Sequence, residues 1–341
     1  MKSIPVDQAV GLVICHDITE IVPGRHKKAA FKRGHVVRAE DVPHLLRLGK
    51  ENLYVWSDQT DGQVHEDDAA RRLARAIAGQ GVSFGEPSEG RINLTSDRQG
   101  LLVMNPDLLE ALNDIPDVSV ATIGNLREVQ AGANLAGARV IPLCVAEESV
   151  AGAEALCRER GALLQVLPFN AQRVGVVTTG SEVYHGRIQD AFTPVLEKKF
   201  AAWGSEISYR TIVPDEAGAA AAAIREALAR GATLVAVTGG MSVDPDDKTP
   251  AAIREVAGQI VTYGTPVFPG AMFMLAYHGS TPIMGLPGCV MYNRASIFDL
   301  IVPRLLAGQR LTRRDFVRLG HGGFCEQCPD CHFPNCSFGR S

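Results

Sequence analysis

Four cysteines near the C-terminus, Cys325, Cys328, Cys331 and Cys336, crowd into twelve residues. Thiolates bind soft and borderline metals strongly, so four that can converge on one centre predict a metal site. The first three stand at Cys-x2-Cys-x2-Cys, a spacing found in ferredoxin-type iron–sulfur ligation. The last gap is one residue longer than in that pattern, and no proline follows Cys336. Structural zinc more often uses two separated Cys-x2-Cys knuckles. Both an iron–sulfur cluster and Zn²⁺ therefore stay open, with His332 as a further candidate ligand. The other four cysteines, Cys15, Cys144, Cys157 and Cys289, are scattered. In a reducing compartment such crowding reads as metal rather than disulfides.

A second chemistry is spread over three glycine-bearing segments, each directly after an apolar run. They are Thr178-Thr179-Gly180-Ser181-Glu182, Thr238-Gly239-Gly240-Met241-Ser242-Val243-Asp244-Pro245-Asp246-Asp247, and Gly285-Leu286-Pro287-Gly288. Glycine lets backbone N–H groups approach an anion closely, and a following helix N-terminus adds a favourable dipole. Three such segments in one region predict a phosphate-type ligand. Neither Gly-x-Gly-x-x-Gly after a strand nor a P-loop is present, which disfavours dinucleotide and P-loop readings. Asp244, Asp246 and Asp247 follow the glycine pair, and Asp215 follows another apolar run. Carboxylates beside a phosphate repel it unless a cation intervenes, and Mg²⁺ is held by one or two carboxylates plus phosphate oxygens. Asp215 also fits a plain helix cap.

The elements that must position these residues alternate. Strands are expected at 173–179, 206–213 and 233–238 and in the run TPIMGL. Helices are expected at 193–203 and 215–230, from Thr249-Pro250 onward, and at 292–306. This alternation predicts βαβ units and a parallel sheet, whose ligands bind beyond the carboxyl ends of the strands. The first half mixes short apolar runs with a basic stretch at 25–33, an amphipathic helix at 66–78 and further helices at 106–112 and 146–160. The expected division is a small β-rich part at 1–60, an α+β part at 61–170, an α/β domain at 171–306, and a basic linker with the Cys-rich tail at 307–341. The fold class is α/β, a three-layer parallel or mixed sheet preceded by a β-rich α+β region.

Residues 173–306 resemble the molybdopterin-binding domain shared by molybdopterin molybdenumtransferases and adenylyltransferases. Thr-Gly-Gly-x-Ser followed by Asp247 and Thr249-Pro250 carries the likeness. Thr179-Gly180 with Glu182, the segment ending at Asp190, Val213-Pro214-Asp215-Glu216 and Leu286-Pro287-Gly288 extend it. The resemblance implies that Asp215 and Asp247 serve catalysis or magnesium-assisted nucleotide chemistry. It implies that Thr179, Gly180, Ser181, Glu182, Asp190, Thr238, Gly239, Gly240, Ser242, Leu286, Pro287 and Gly288 hold the pterin phosphate. Residues 1–56 more loosely resemble the N-terminal part of the molybdenumtransferases. Their Asn-Ser-x-Met-Asp-Gly-Tyr-Ala segment is not found, and Asp244-Pro245 and Cys289-Val290 depart from the family pattern.

The implied function is molybdenum insertion into molybdopterin or its adenylylated form, a transferase role. The alternatives are a non-catalytic carrier or sensor, or a nucleotide hydrolase of the competence-damage type. Molybdopterin and molybdate are the expected partners, with molybdoenzymes as further candidates and a homo-oligomer as the assembly. The chain has 341 residues, a net charge of −4 and 6% aromatics. That gives no global footprint for nucleic acid and few stacking platforms. No apolar run reaches a membrane span and the N-terminus lacks a signal-peptide pattern, so a cytoplasmic location is expected.

Overall fold

The computed structural model describes residues 2–55, 62–245 and 247–340, so Asp246 lies outside the described residues. The chain forms two compact units. The first comprises Met1–Asp97, Met104–Ile123 and Gly132–Gln165, and the second Arg98–Val103, Gly124–Ala131 and Val166–Ser341. Among the described residues no helix is long and apolar enough to cross a membrane.

In the first unit, strand Lys2–Pro5 pairs antiparallel with Asn52–Val55. Ile18–Val22 pairs with His26–Phe31. Ile4, Ile14, Phe31, Leu45 and Leu53 fill a small core between them. A four-stranded sheet uses 82–84, 91–96, 134–140 and 118–122 in that spatial order. Helix Glu66–Ile77 buries Ala69, Ala70, Leu73, Ala74 and Ile77, the apolar face its 3.6-residue period predicts. Its first turn holds Glu66, Asp67 and Asp68, favourable against the helix dipole.

His65 caps that helix as a neutral imidazole. Its Nδ1 accepts from the Asp67 N–H at 3.2 Å. Its Nε2 donates to the Cys15 carbonyl at 2.7 Å. Burial pushes the pKa of His65 below its ordinary value, and the Cys15 bond pulls the other way. His16 is lowered by the same cause. A histidine whose folded pKa is depressed contributes stability above the unfolded pKa of about 6.5, and that contribution is lost as pH falls from there toward the folded pKa. The full chain should therefore melt lower at pH 5 than at pH 8. His65→Asn, which keeps an N-cap acceptor, should flatten that dependence in part, because His16 remains. Equal slopes in the two proteins would rule out His65 as a source.

The second unit is built on a six-stranded sheet. Its elements are β1 (Arg173–Thr179), α1 (Ser181–Tyr184), α2 (Phe192–Ala202), β2 (Glu206–Val213), α3 (Ala217–Ala229), β3 (Leu234–Thr238), α4 (Thr249–Val256), β4 (Gln259–Tyr263), β5 (Met274–His278), β6 (Thr281–Leu286), α5 (Cys289–Tyr292), α6 (Ile297–Leu306) and α7 (Arg313–Arg318). The spatial order is β2-β1-β3-β6-β5-β4. The first four strands run parallel. β5 and β4 close that end antiparallel.

Strand alternation sorts the side chains into two layers. Val174, Val176, Leu234 and Ala236 face α2 and α6. Val177, Val235 and Val237 face α3 and α4. The sheet is thus buried on both sides, as its continuous apolar runs require. The alanine-rich α3 packs close: a Cβ on Gly175 would lie 2.8 Å from the Ala227 Cβ. This is the expected α/β class with three layers and a mixed sheet.

Three details differ from expectation. The antiparallel pair β4 and β5 is additional to the expected strands. The helix expected at 292–306 is two, because the chain leaves helical geometry after Tyr292 and restarts at Ile297 with a Ser296–Asp299 capping box. The C-terminal segment, which lies beyond the strand–helix alternation, is built into the core: Phe316 and Phe338 are buried with α2 and α6.

Candidate ligand-binding site

Strand register brings the glycine segments to one edge. Thr178 stands opposite Thr238, Thr238 opposite Leu286, and Thr179 opposite Val213. The loops beginning at Gly180, Gly239 and Pro287, and the segment with Asp215, therefore all leave the sheet at the carboxyl ends of parallel strands. That is the edge where open α/β sheets bind ligands.

A buried web of hydroxyls floors this edge. Thr238 Oγ1 donates to Thr178 Oγ1 at 3.2 Å. Thr178 Oγ1 donates to Asp190 Oδ2 at 3.2 Å. The Thr179 and Thr249 hydroxyls stand 3.1 Å apart. Thr249 Oγ1 donates to the Gly239 carbonyl at 2.9 Å. These partners lock the strand ends against the start of α4. Thr178 and Thr249 lie in segments that the sequence singled out, but neither was assigned a role in holding the ligand; their part in the hydroxyl floor comes from contacts between strand and helix ends.

Gly239 and Gly240 carry the turn above this floor. Their φ angles are +81° and +53°, in the left-handed region that favours glycine. A Cβ on Gly239 would lie 2.0 Å from the Thr179 carbonyl oxygen, and one on Gly240 2.9 Å from Thr249 Oγ1. Ser242 beyond them is exposed, while Met241 is buried. Thr179 and Gly180 are buried, Ser181 is half-buried and Glu182 is exposed at the start of α1. Leu286 and Pro287 are buried, and the exposed Gly288 opens α5.

The acids are placed as follows. Asp215 is not a cap, since α3 starts two residues later with Glu216 at its N-cap and no side-chain cap bond. Instead Asp215 Oδ2 accepts from the Ser181 N–H at 2.7 Å, tying two exit loops together. Asp247 is half-buried and accepts from the Asp244 N–H at 3.1 Å. Each of these two carboxylates is thus held by backbone beside a glycine loop. Asp190 takes the N–H groups of Phe192 and Thr193 at 2.9 and 3.3 Å, and the hydroxyls of Thr178 and Thr193. So many protein donors make Asp190 an anchor for α2 and β1 rather than a group turned to a ligand. Large apolar side chains are exposed on the exit segments: Tyr184, Val243 and Tyr292.

The four tail cysteines come together elsewhere, around one cavity of about 510 Å³. Cys325 and Cys336 are half-buried, Cys328 and Cys331 exposed. Among the described residues no three His, Cys, Asp or Glu side chains already stand so as to hold one metal ion.

Residues 175–307 match the family described as "Probable molybdopterin binding domain". Residues 3–57 match a "Domain of unknown function (DUF8806)". That match to the molybdopterin-binding family model covers about two-fifths of the chain. A CinA-like protein of Mycobacterium sp. (strain MCS) is 33% identical over 87 residues, covering 26% of this chain and 21% of the relative. A CinA-like protein of Mycobacterium avium (strain 104) is 32% identical over 93 residues, 27% of this chain and 21% of that protein. The match thus spans about a fifth of the length of these curated relatives. The molybdopterin biosynthesis enzyme MoaB of Thermus thermophilus is similar at 24% identity over 40% of this chain and 98% of its own, with a TM-score of 0.36.

Proposed function

We propose that the second unit binds molybdopterin, or its adenylylated form, at the carboxyl edge of its sheet and assists molybdenum insertion. The observation that carries this is the Gly239–Gly240 pair. Two consecutive left-handed glycines lay bare backbone over a rigid threonine floor, between the ends of β1 and β3. Such backbone can approach a phosphate where any side chain would block it. Gly180 and the Leu286-Pro287-Gly288 turn supply further backbone at the same edge. The exposed rings of Tyr184 and Tyr292 suit a flat heterocycle.

Asp215 and Asp247 fit a magnesium ion shared with a phosphate, because Mg²⁺ needs only one or two protein carboxylates there. When bound, Mg²⁺ polarises a phosphoryl oxygen as a Lewis acid. The chain's own part is to hold each carboxylate beside a glycine loop through the Ser181 and Asp244 N–H groups. Molybdate as metal donor, a molybdoenzyme as recipient and assembly with further copies of the chain complete this reading. The tail thiols add a soft or borderline metal to the same unit.

Asp247→Asn should lower magnesium-dependent turnover of adenylylated molybdopterin by several kcal/mol, on the order of 100-fold or more. Far-UV circular dichroism and melting temperature should stay at the wild-type value. Wild-type turnover in the variant would remove Asp247 from the metal site. A carrier that binds without turnover is favoured by one observation, that the Asn-Ser-x-Met-Asp-Gly-Tyr-Ala segment of the transferases is not found in the sequence. Binding of molybdopterin with no magnesium-dependent product would select it.

A further inference from the structure

The cysteine-bearing loop is preorganised. The Gly339 N–H donates to the Gly322 carbonyl at 2.8 Å, so the two ends of the loop that holds all four thiols are pinned together. The approach is close enough that a Cβ on Gly322 would lie 2.0 Å from the Arg340 carbonyl oxygen. Cys325 N donates to the Phe268 carbonyl, and Phe268 N donates to the Gly323 carbonyl, each at 2.8 Å, which fixes the start of the loop. Phe338 is buried in the main core and fixes its end.

Two features bear on what the four thiols hold. A single zinc ion holds sulfur at about 2.3 Å, which brings four thiolates to roughly 3.8 Å from one another. The four thiols here line one cavity of about 510 Å³, more room than one ion and its sulfur shell need. That volume suits a group larger than a single ion. The second feature is Arg127. Its terminal nitrogen donates to Asn335 Oδ1 in this loop. Its Nε is buried and has no hydrogen-bond partner among the described residues. Cys336 and Arg340 both lie near enough to act on it electrostatically. An orphaned, charged N–H donor beside a thiol loop calls for an anionic acceptor.

On the reading of the tail as a metal site, we propose that Cys325, Cys328, Cys331 and Cys336 hold an iron–sulfur cluster rather than a single ion, and that Arg127 Nε–H donates to its sulfur at Cys336. Each thiol gives its proton to solvent as it ligates, and no electron is transferred in that step. Arg127 neither ligates nor reacts; it is a positioning residue that offsets the negative charge of the cluster. Tyr292 and Arg294 line the same cavity, and Tyr292 ends α5, whose other end is the Leu286-Pro287-Gly288 turn. One helix of four residues, about 6 Å of rise, thus separates the cluster loop from the candidate phosphate turn.

The test uses the full chain, purified without oxygen and reconstituted with a mixture of ferric and ferrous iron and sulfide, so that the iron supplies the oxidation state of the cluster. Iron and acid-labile sulfide in equal amounts, with broad visible absorption that bleaches on reduction, are expected. Cys328→Ser alters an exposed thiol, so it should keep wild-type circular dichroism and lose most of the iron and sulfide. Arg127→Gln should keep the cluster but shift its midpoint potential downward, since an N–H donor and a positive charge favour the reduced state. Arg127→Lys should recover part of that shift. Colourless protein with stoichiometric zinc and no iron would overturn the cluster while leaving the tail a metal site. No bound metal of either kind would overturn both. An unmoved potential in Arg127→Gln would overturn the role of Arg127.

Discussion

Gly240→Val should abolish molybdopterin binding while the second unit stays folded. At φ +53° the residue lies in left-handed backbone, which costs an L-residue about 1–2 kcal/mol. The new Cβ would stand 2.9 Å from Thr249 Oγ1 and 3.2 Å from Thr179 Oγ1, so these two hydroxyls must give way at some cost to their mutual hydrogen bond, while no backbone atom lies closer than 3.5 Å. The fold can absorb both terms. A ligand anion cannot, because the branched side chain would fill the space its oxygens need above the backbone N–H groups. Gly239 is the poorer test: a Cβ there would meet the Thr179 carbonyl at 2.0 Å, backbone that cannot move. Gly240→Asn is the useful partner, since asparagine tolerates left-handed geometry and separates strain from blockage. Calorimetric titration with molybdopterin should show no heat for the valine variant and weakened binding for asparagine. Unchanged affinity in both would sink the phosphate-cradle reading.

Lys199→Met should destabilise the protein by about 3–5 kcal/mol. Lys199 on α2 pairs with Asp299 on α6, and their side chains are only 18% and 10% exposed. The ammonium also lies 5.3 Å from the centre of the Phe298 ring. Burial pushes the Asp299 carboxyl upward, and the neighbouring ammonium pulls it back down. Without the lysine that carboxylate is buried unpaired, the costly case. The sign of the pH effect follows. A carboxyl whose folded pKa is raised penalises the fold above that pKa, and protonation relieves the penalty as pH falls. The loss in Lys199→Met should therefore be larger at pH 8 than at pH 5. Adding Asp299→Asn should restore much of it, since asparagine still accepts from the Ser296 N–H. Denaturant melts of the three proteins decide this. A single variant within about 1 kcal/mol of wild type would show that the pair is solvated.

Much of the α/β unit was legible in the chain. The runs RVGVVTT and TLVAVT are apolar without alternation, which only a strand buried on both faces explains. Glycines after such runs, separated by helices, predict loops at one sheet edge. β4 and β5 were harder to read, because an antiparallel pair at a sheet end has no crossover helix to mark it, although the run 271–277 that holds most of β5 is apolar throughout. The start of α6 was within reach of the sequence: Ser296 with Asp299 three residues on, before an apolar run, is the spacing of a capping box, and it starts the helix at Ile297.

The sequence by itself determined the inventory: which residues could bind an anion, which a metal, and on which kind of element each would stand. Local spacing and side-chain chemistry suffice for that. The tertiary structure decided how each is used. Asp190 became an anchor because four protein donors converge on it. Asp215 left the helix cap for the Ser181 N–H. The tail joined the core through Phe316 and Phe338. Arg127, far from the cysteines in the chain, reached their loop. These outcomes depend on contacts between residues distant in sequence, and only packing sets which donors and charges a side chain meets.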